Sequence, residues 1–290
     1  ISSNNESNTL AKAGDDVTLT FTASEAISTP VVTFQSGGAA ITDGSIVYNN
    51  TSGNTWTAVY TADANDTDGA VSYSIAFSDT AGNAGSAVTS GSGSVTTDTT
   101  APTLSNVSIA SDNSTSTLAK AGDDVTLTFT ASESISTPTV TFASGGSSIN
   151  GNVTVQNTSG NTWTAVYTAD ANDAAGSITF NISFRDSTGN TGTAITATTD
   201  GTNVTTDTTA PTLSGVSISS NNESNTLAKA EDDVTLTFTA SASISTPTVT
   251  FASGGSSING NVTVQNTSGN TWTAVYTANA NDTDGAVSYS

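Results

Sequence analysis

Apolar and polar residues alternate along much of this chain. In residues 124–131, Val125, Leu127 and Phe129 fall on one side and Thr126, Thr128 and Thr130 on the other. That period of two predicts a half-buried β-strand. Residues 177–185 set Ile178, Phe180, Ile182 and Phe184 at the same spacing, and residues 162–168 do so with Trp163, Ala165 and Tyr167. Shorter runs at 103–110, 139–142 and 152–156 read as further strands, and the Gly- and Thr-rich stretch 191–205 as a last strand or pair. Between them lie SGGSS, NTSGN, DSTGN and TTDGTN, built from residues that favour tight turns. No segment carries a helical period.

Seven short strands in about 100 residues, with turns every 8–12, predict an immunoglobulin-like sandwich, with a barrel as the alternative. The threonines on the other side of each strand suit a solvated sheet face. The stripe containing Trp56, Trp163 and Trp272 reads as core rather than as a sugar-stacking platform.

The whole pattern recurs. TLAKAGDDVTLTFTASE at 9–25 returns at 117–133 and, altered, at 226–242. Ile1, Ile109 and Ile218 open the copies, so the period is 108 and then 109 residues. A solenoid unit is far shorter; this is the length of one domain. The expected organisation is all-β, with tandem immunoglobulin-like β-sandwich domains over 1–98, 99–207 and 208–290. The first copy lacks a counterpart of APTLSNVS and the third stops early, which suggests a window on a longer array. TTDTTAPTLS, at 96–105 and 205–214, joins the copies; its proline and shortness predict stiff junctions.

Composition narrows the chemistry. The chain has 25 acidic and 4 basic residues, a formal net charge of −21. Such a surface repels nucleic acid and anionic membranes. There is no Cys, Met or His, which removes thiol chemistry, zinc sites of the usual kind and histidine general acid–base catalysis. Only carboxylates remain for an enzyme, and none lies in an apolar context that would tune it. We therefore expect no enzymatic activity, no nucleic-acid partner and no membrane insertion. Asn-x-Ser/Thr sequons, among them Asn49, Asn106, Asn152, Asn157, Asn203 and Asn266, slightly exceed chance and weakly suggest a glycosylated surface.

The acids recur at fixed places. Glu25 follows a strand, Asp79 opens the turn DTAGN and Asp98 lies in the linker; Glu133, Asp186 and Asp207 repeat these positions. Three carboxylates gathered at one pole of a sandwich would repel one another unless a cation sat between them. The oxygens of Asn83 and Asn190 add to a hard ligand set that suits Ca²⁺. The competing reading is that each Asp begins a turn and each Glu is solvated. TADANDTDG at 61–69 resembles a Ca²⁺ loop, but only Asp66, Asp173 and Asp282 persist across copies, so a turn cap is the better reading. The pairs Asp15–Asp16, Asp123–Asp124 and Asp232–Asp233 read as solvating a strand's start. Ala242 replaces the glutamate in the third copy, so the junction after it should bind more weakly.

DTTAPTL, LAKAGDDVTLTFTASE and FSDTAGN resemble the tandem bacterial Ig-like repeats of giant surface adhesins, and similar modules of prokaryotic surface-layer and filament proteins. The resemblance covers the whole chain. It implies an extracellular extender or scaffold with Ca²⁺ near domain junctions, carried by Glu25, Asp79 and Asp98 and then by Glu133, Asp186 and Asp207. Its partners would be neighbouring repeats of the same chain, or like copies in a filament or lattice. The alternative is a repeat module that binds glycan or protein through avidity. Against it, the loop sequences at 144–163 and 253–272 are identical.

Overall fold

A computed structural model describes residues 1–42 and 44–290, in two compact units, Ile1–Thr208 and Thr209–Ser290. The first copy supplies β1 (Ser2–Ser3), β2 (Leu10–Ala11), β3 (Asp16–Thr22), β4 (Val31–Ser36), β5 (Ala39–Ala40), β6 (Val47–Ser52), β7 (Thr55–Thr61), β8 (Gly69–Ala76) and β9 (Thr96–Thr97). The second repeats the set as β10 (Leu104–Ser111), β11 (Leu118–Ala119), β12 (Asp124–Ala131), β13 (Thr139–Ser144), β14 (Ser147–Ser148), β15 (Thr154–Ser159), β16 (Thr162–Thr168), β17 (Gly176–Ser183) and β18 (Thr205–Thr206). The second unit holds β19 (Leu213–Ser220), β20 (Asp233–Ala240), β21 (Phe251–Ser253), β22 (Ser256–Ser257), β23 (Thr263–Ser268), β24 (Thr271–Thr277) and β25 (Val287–Tyr289). No helix occurs among the described residues, so none is long and apolar enough to cross a membrane.

In the second copy one sheet runs β10-β12-β16-β15 and the other β11-β18-β17-β13-β14. The chain changes sheets between its first two strands: β10 pairs antiparallel with β12, then β11 pairs parallel with β18. This strand order is that of an immunoglobulin-like sandwich. The first copy has the same order, β1-β3-β7-β6 against β2-β9-β8-β4-β5. The chain is thus all-β, with tandem Ig-like repeats.

Side-chain alternation explains the packing. Every second residue of β12 is buried, and Val125 and Phe129 face Tyr167 and Trp163 across the ladder. Tyr167 meets Phe142 of the other sheet with ring centroids 5.0 Å apart. Each copy has its own cluster of this kind, built around Leu19 and Tyr60, Leu127 and Tyr167, and Leu236 and Tyr276. Trp163 and Trp272 belong to the cores, and Trp56 is half-buried. At one point the sheets leave no room for a side chain: Gly176 has φ +141°, and a Cβ there would lie 2.8 Å from the Cα of Gly145.

Four elements differ from the sequence reading. The two-residue strands β11 and β14 are too short to show alternation: β11 exists through its distant partner β18, and β14 only folds back on β13 across the Gly145–Gly146 turn. The stretch 191–205 is mostly irregular, tied by the bridges Arg185↔Thr191 and Ile182↔Ile195, and becomes a strand only at Thr205–Thr206. The linker is also shorter than its motif, because Thr96–Thr97 already belong to β9 and Leu104 begins β10.

Candidate metal centre

The linker meets the second copy at the far end of β12. That strand runs antiparallel to β10, with Ala131 opposite Leu104. Ser132 N–H donates to the Thr103 carbonyl at 2.9 Å, and Thr103 N–H to Ser132 Oγ at 3.0 Å. Glu133 is the next residue. The β17–β18 turn arrives at the same place, where Asp186 bridges to Ile135. Asp98, Glu133 and Asp186 therefore converge, with one carboxylate oxygen from each lying within 4.8 Å of the others.

This grouping corrects the expected one. Asp98 joins Glu133 and Asp186 of the following copy, not Glu25 and Asp79 of its own. The reason is strand direction. β9 runs back from the Asp79 turn, and Thr97 pairs with Gly69 at the start of β8. A linker leaving that strand lies at the opposite pole from the turn and reaches only the next domain. Glu25 and Asp79 occupy the equivalent pole of the first copy, where Ile27 bridges to Asp79, but no third acid completes a cluster with them among the described residues. Asp207 belongs to no such cluster among the described residues; its N–H extends the strand pairing by donating to the Ala119 carbonyl at 2.8 Å.

Asp186 is 1% exposed and held rigidly. Its Oδ1 accepts the N–H groups of Thr188, Gly189 and Asn190 at 2.8, 2.6 and 2.9 Å, and its Oδ2 accepts Asn190 Nδ2 at 2.8 Å. Asn190 Nδ2 also donates to the Asp98 carbonyl at 2.8 Å. Asn190 is thus at the centre, but its amide NH₂ orients the acids. Asn83 plays the same part for Asp79, donating from Nδ2 at 2.7 Å. Asp98 Oδ2 accepts Thr188 Oγ1 at 3.2 Å, and Asp98 Oδ1 accepts Thr100 N–H at 3.2 Å. No N–H or O–H of the described residues donates to Glu133.

The electrostatics reflect crowded like charges. Burial pushes the Asp98 carboxyl above its ordinary range, and the charges of Asp186 and Asp68 add to the rise. Burial also raises Glu133, joined by the charges of Asp98, Asp186 and Asp68. Among the described residues no basic group pairs with any of the three. The Lys12 stem runs beside Gly189, but its ammonium faces Asp15 at 3.6 Å. The half-buried Asp79 differs: the Asn83 side chain and the N–H groups of its turn hold it below the usual carboxylate range.

Asn5 carried no sequence signal, and Asp68 drew notice only as part of the 61–69 loop. Asn5 Nδ2 of the first copy donates to the Thr188 carbonyl at 3.0 Å. Asp68 anchors the linker, accepting Thr99 N–H at 2.7 Å and Thr100 Oγ1 at 2.6 Å. In Asp68 burial works upward, yet the bonds from Thr100 and Thr99 bring its carboxyl below the ordinary range. The acid pairs proved to have a definite role. Asp123 Oδ2 accepts Lys120 N–H at 2.8 Å and Asn113 Nδ2 at 2.7 Å, pinning two loops, and Asp15 and Asp232 repeat the arrangement. The 61–69 loop is capped as its sequence suggests, with Asp66 Oδ2 accepting Asp63 N–H at 3.0 Å. In the second copy Asp173 Oδ2 accepts Asp170 N–H at 2.9 Å.

The donor set suits a hard divalent cation. Three carboxylates without imidazole or thiolate favour Ca²⁺ over transition metals, and their oxygens lie close enough to share one ion.

No protein-family model matches the chain, and no curated protein does. Among solved structures it is similar to the I67–I69 fragment of the titin I-band, at 12% identity and a TM-score of 0.42, covering 94% of this chain and 85% of that one. It is also similar to the Ig1–Ig3 ectodomain of mouse nectin-like molecule 4, at 12% identity and a TM-score of 0.30, covering 91% and 85%. At these values the fold rests on the strand order described above and not on the likeness.

Proposed function

We propose that this chain is an extender segment of a long extracellular microbial surface protein, with tandem Ig-like domains fixed at their junction by Ca²⁺. The observation that supports it is the convergence of Asp98, Glu133 and Asp186, one acid from the linker and two from the domain beyond. Asp186 is prearranged by its turn, Asp98 brings the linker, and Glu133 has an undonated carboxylate facing both. An ion held among them would relieve the repulsion that raises Asp98 and Glu133. It would bind the docked junction and not a slack one, so mass action would favour the docked state. A site of few protein ligands suits the weak range of extracellular modules, a Kd of about 10⁻⁴–10⁻³ M. The millimolar Ca²⁺ of an exterior location would fill a site of that affinity. Surface-layer, filament and adhesin-stalk settings all use such a spacer.

The test is a thermal melt and small-angle scattering of the whole chain, first in millimolar Ca²⁺ and then in EDTA. Ca²⁺ should raise the melting temperature and narrow the range of conformations in solution. Glu133→Gln should abolish the response, whereas Glu25→Gln should leave it intact. Identical melts and scattering in both buffers would sink the metal reading, leaving a junction fixed by the hydrogen bonds of Asn5, Asp68, Thr188 and Asn190 and by the proline linker.

A further inference from the structure

Asp68, in the 61–69 loop of the first copy, grips the two residues that follow Asp98. Its Oδ1 accepts Thr99 N–H at 2.7 Å and Thr99 Oγ1 at 3.0 Å, and its Oδ2 accepts Thr100 Oγ1 at 2.6 Å. Thr100 N–H in turn donates to Asp98 Oδ1 at 3.2 Å. On its other side Asp98 is tied to β2, its N–H donating to the Ala11 carbonyl at 2.9 Å. Asp98 is thus fixed from both directions, by strand pairing before it and by Asp68 after it.

The loop itself does not need this acid. In the second copy Ala175 stands in the place of Asp68, directly before Gly176 as Asp68 is before Gly69. The backbone is the same in both: Gly69 and Gly176 each have φ +141°, and a Cβ on them would lie 2.8 Å from the Cα of Gly37 and of Gly145. The cap is also the same, with Asp66 Oδ2 on Asp63 N–H at 3.0 Å and Asp173 Oδ2 on Asp170 N–H at 2.9 Å. Even the long bond survives: Thr99 Oγ1 donates to the Asp66 carbonyl at 3.4 Å, and Thr208 Oγ1 to the Asp173 carbonyl at 3.3 Å. What differs is the carboxylate, so its role lies in the linker. Nor is Asp68 one of the three acids whose oxygens come within 4.8 Å of one another, and both of its own oxygens already accept donors from the linker. Its charge adds to the repulsion at Asp98 and Glu133. Position and charge therefore act in opposite senses on the empty junction.

We propose that Asp68 is the positioning residue of this junction: by holding Thr99 and Thr100 it presents the Asp98 carboxylate to Glu133 and Asp186, and so sets the affinity for a divalent cation. The inference rests on the metal reading above. A linker released from Asp68 presents Asp98 only part of the time, and the apparent affinity falls by that fraction. Asp68 acts through the linker and is not itself a ligand.

The experiment titrates Ca²⁺ into the whole chain, into Asp68→Ala and into Asp68→Asn by calorimetry, and measures hydrogen exchange at the Thr99 amide in EDTA. Asp68→Ala should fold, since the second copy folds with Ala175 there. It should bind Ca²⁺ about tenfold more weakly, as expected if Asp98 is in place about a tenth of the time, and its Thr99 amide should exchange faster even without metal. Asp68→Asn removes the charge but keeps an oxygen for Thr99 N–H; its amide should stay protected and its affinity should lie within about threefold of the unaltered chain. Equal weakening in both variants would overturn the proposal, because charge or direct ligation would then be the cause. Unchanged affinity in Asp68→Ala would overturn it while leaving the metal reading standing. An unaltered chain that binds no Ca²⁺ would overturn the metal reading, and this role in affinity with it.

Discussion

Two aspartates with the same turn sequence around them differ in what they hold up. Asp186 accepts three backbone N–H groups while fully buried, whereas Asp79 is only half-buried and accepts two from its turn. Asp186→Ala should therefore destabilise the second copy by about 2 kcal/mol or more, because the stranded donors lose both water and partner. Asp79→Ala should cost clearly less, as urea melts of the two variants would show. A second expectation concerns acid. The bond from the Lys120 ammonium, with those from Asn113 and Lys120 N–H, holds the Asp123 carboxyl down at about 2. A depressed folded-state value means stability that is present above the unfolded value and lost as pH falls through the folded one. The melting temperature should drop between about pH 4 and pH 2, and Asp123→Asn should flatten that part of the profile while lowering stability at neutral pH. The sequence identified the acids by type and recurrence. It could not group them, because the partner of Asp98 is fixed by which pole the linker leaves and which it reaches.

At the level of elements, period-two alternation located the long strands to within a few residues, since each has one face in a core. It missed β11 and β14, two residues each, and overextended the last strand. Each is only two residues long, and β11 and β18 find each other across about 85 residues of chain, so neither can show a period although Ala119 and Thr206 are buried. The glycines at the start of β17 and after β13 illustrate a constraint of the other kind, visible only in three dimensions. Gly176→Ala should cost about 1–3 kcal/mol, from the positive φ together with the close Gly145 backbone. Chemical denaturation would measure it, and an unchanged midpoint would mean that the β13 turn moves aside freely.

On the scale of the whole molecule, three separate cores imply that unfolding is not one event. Leu127→Ala, at a fully buried position, should lower one calorimetric transition by about 2–5 kcal/mol and leave the others in place. A single cooperative shift of the entire trace would contradict independent cores. The parallel pairing of β2 with β9, and of β11 with β18, has a consequence under load. Each pair joins a strand near the start of a copy to one at its end, so tension on the chain slides the two past each other. The bonds from Thr96 N–H to the Thr9 carbonyl and from Asp98 N–H to the Ala11 carbonyl, both 2.9 Å, then bear force together instead of breaking in succession. A stretched chain should give a high rupture peak from each of the first two copies, and Ala11→Pro, which bends β2 away from β9, should lower one of them.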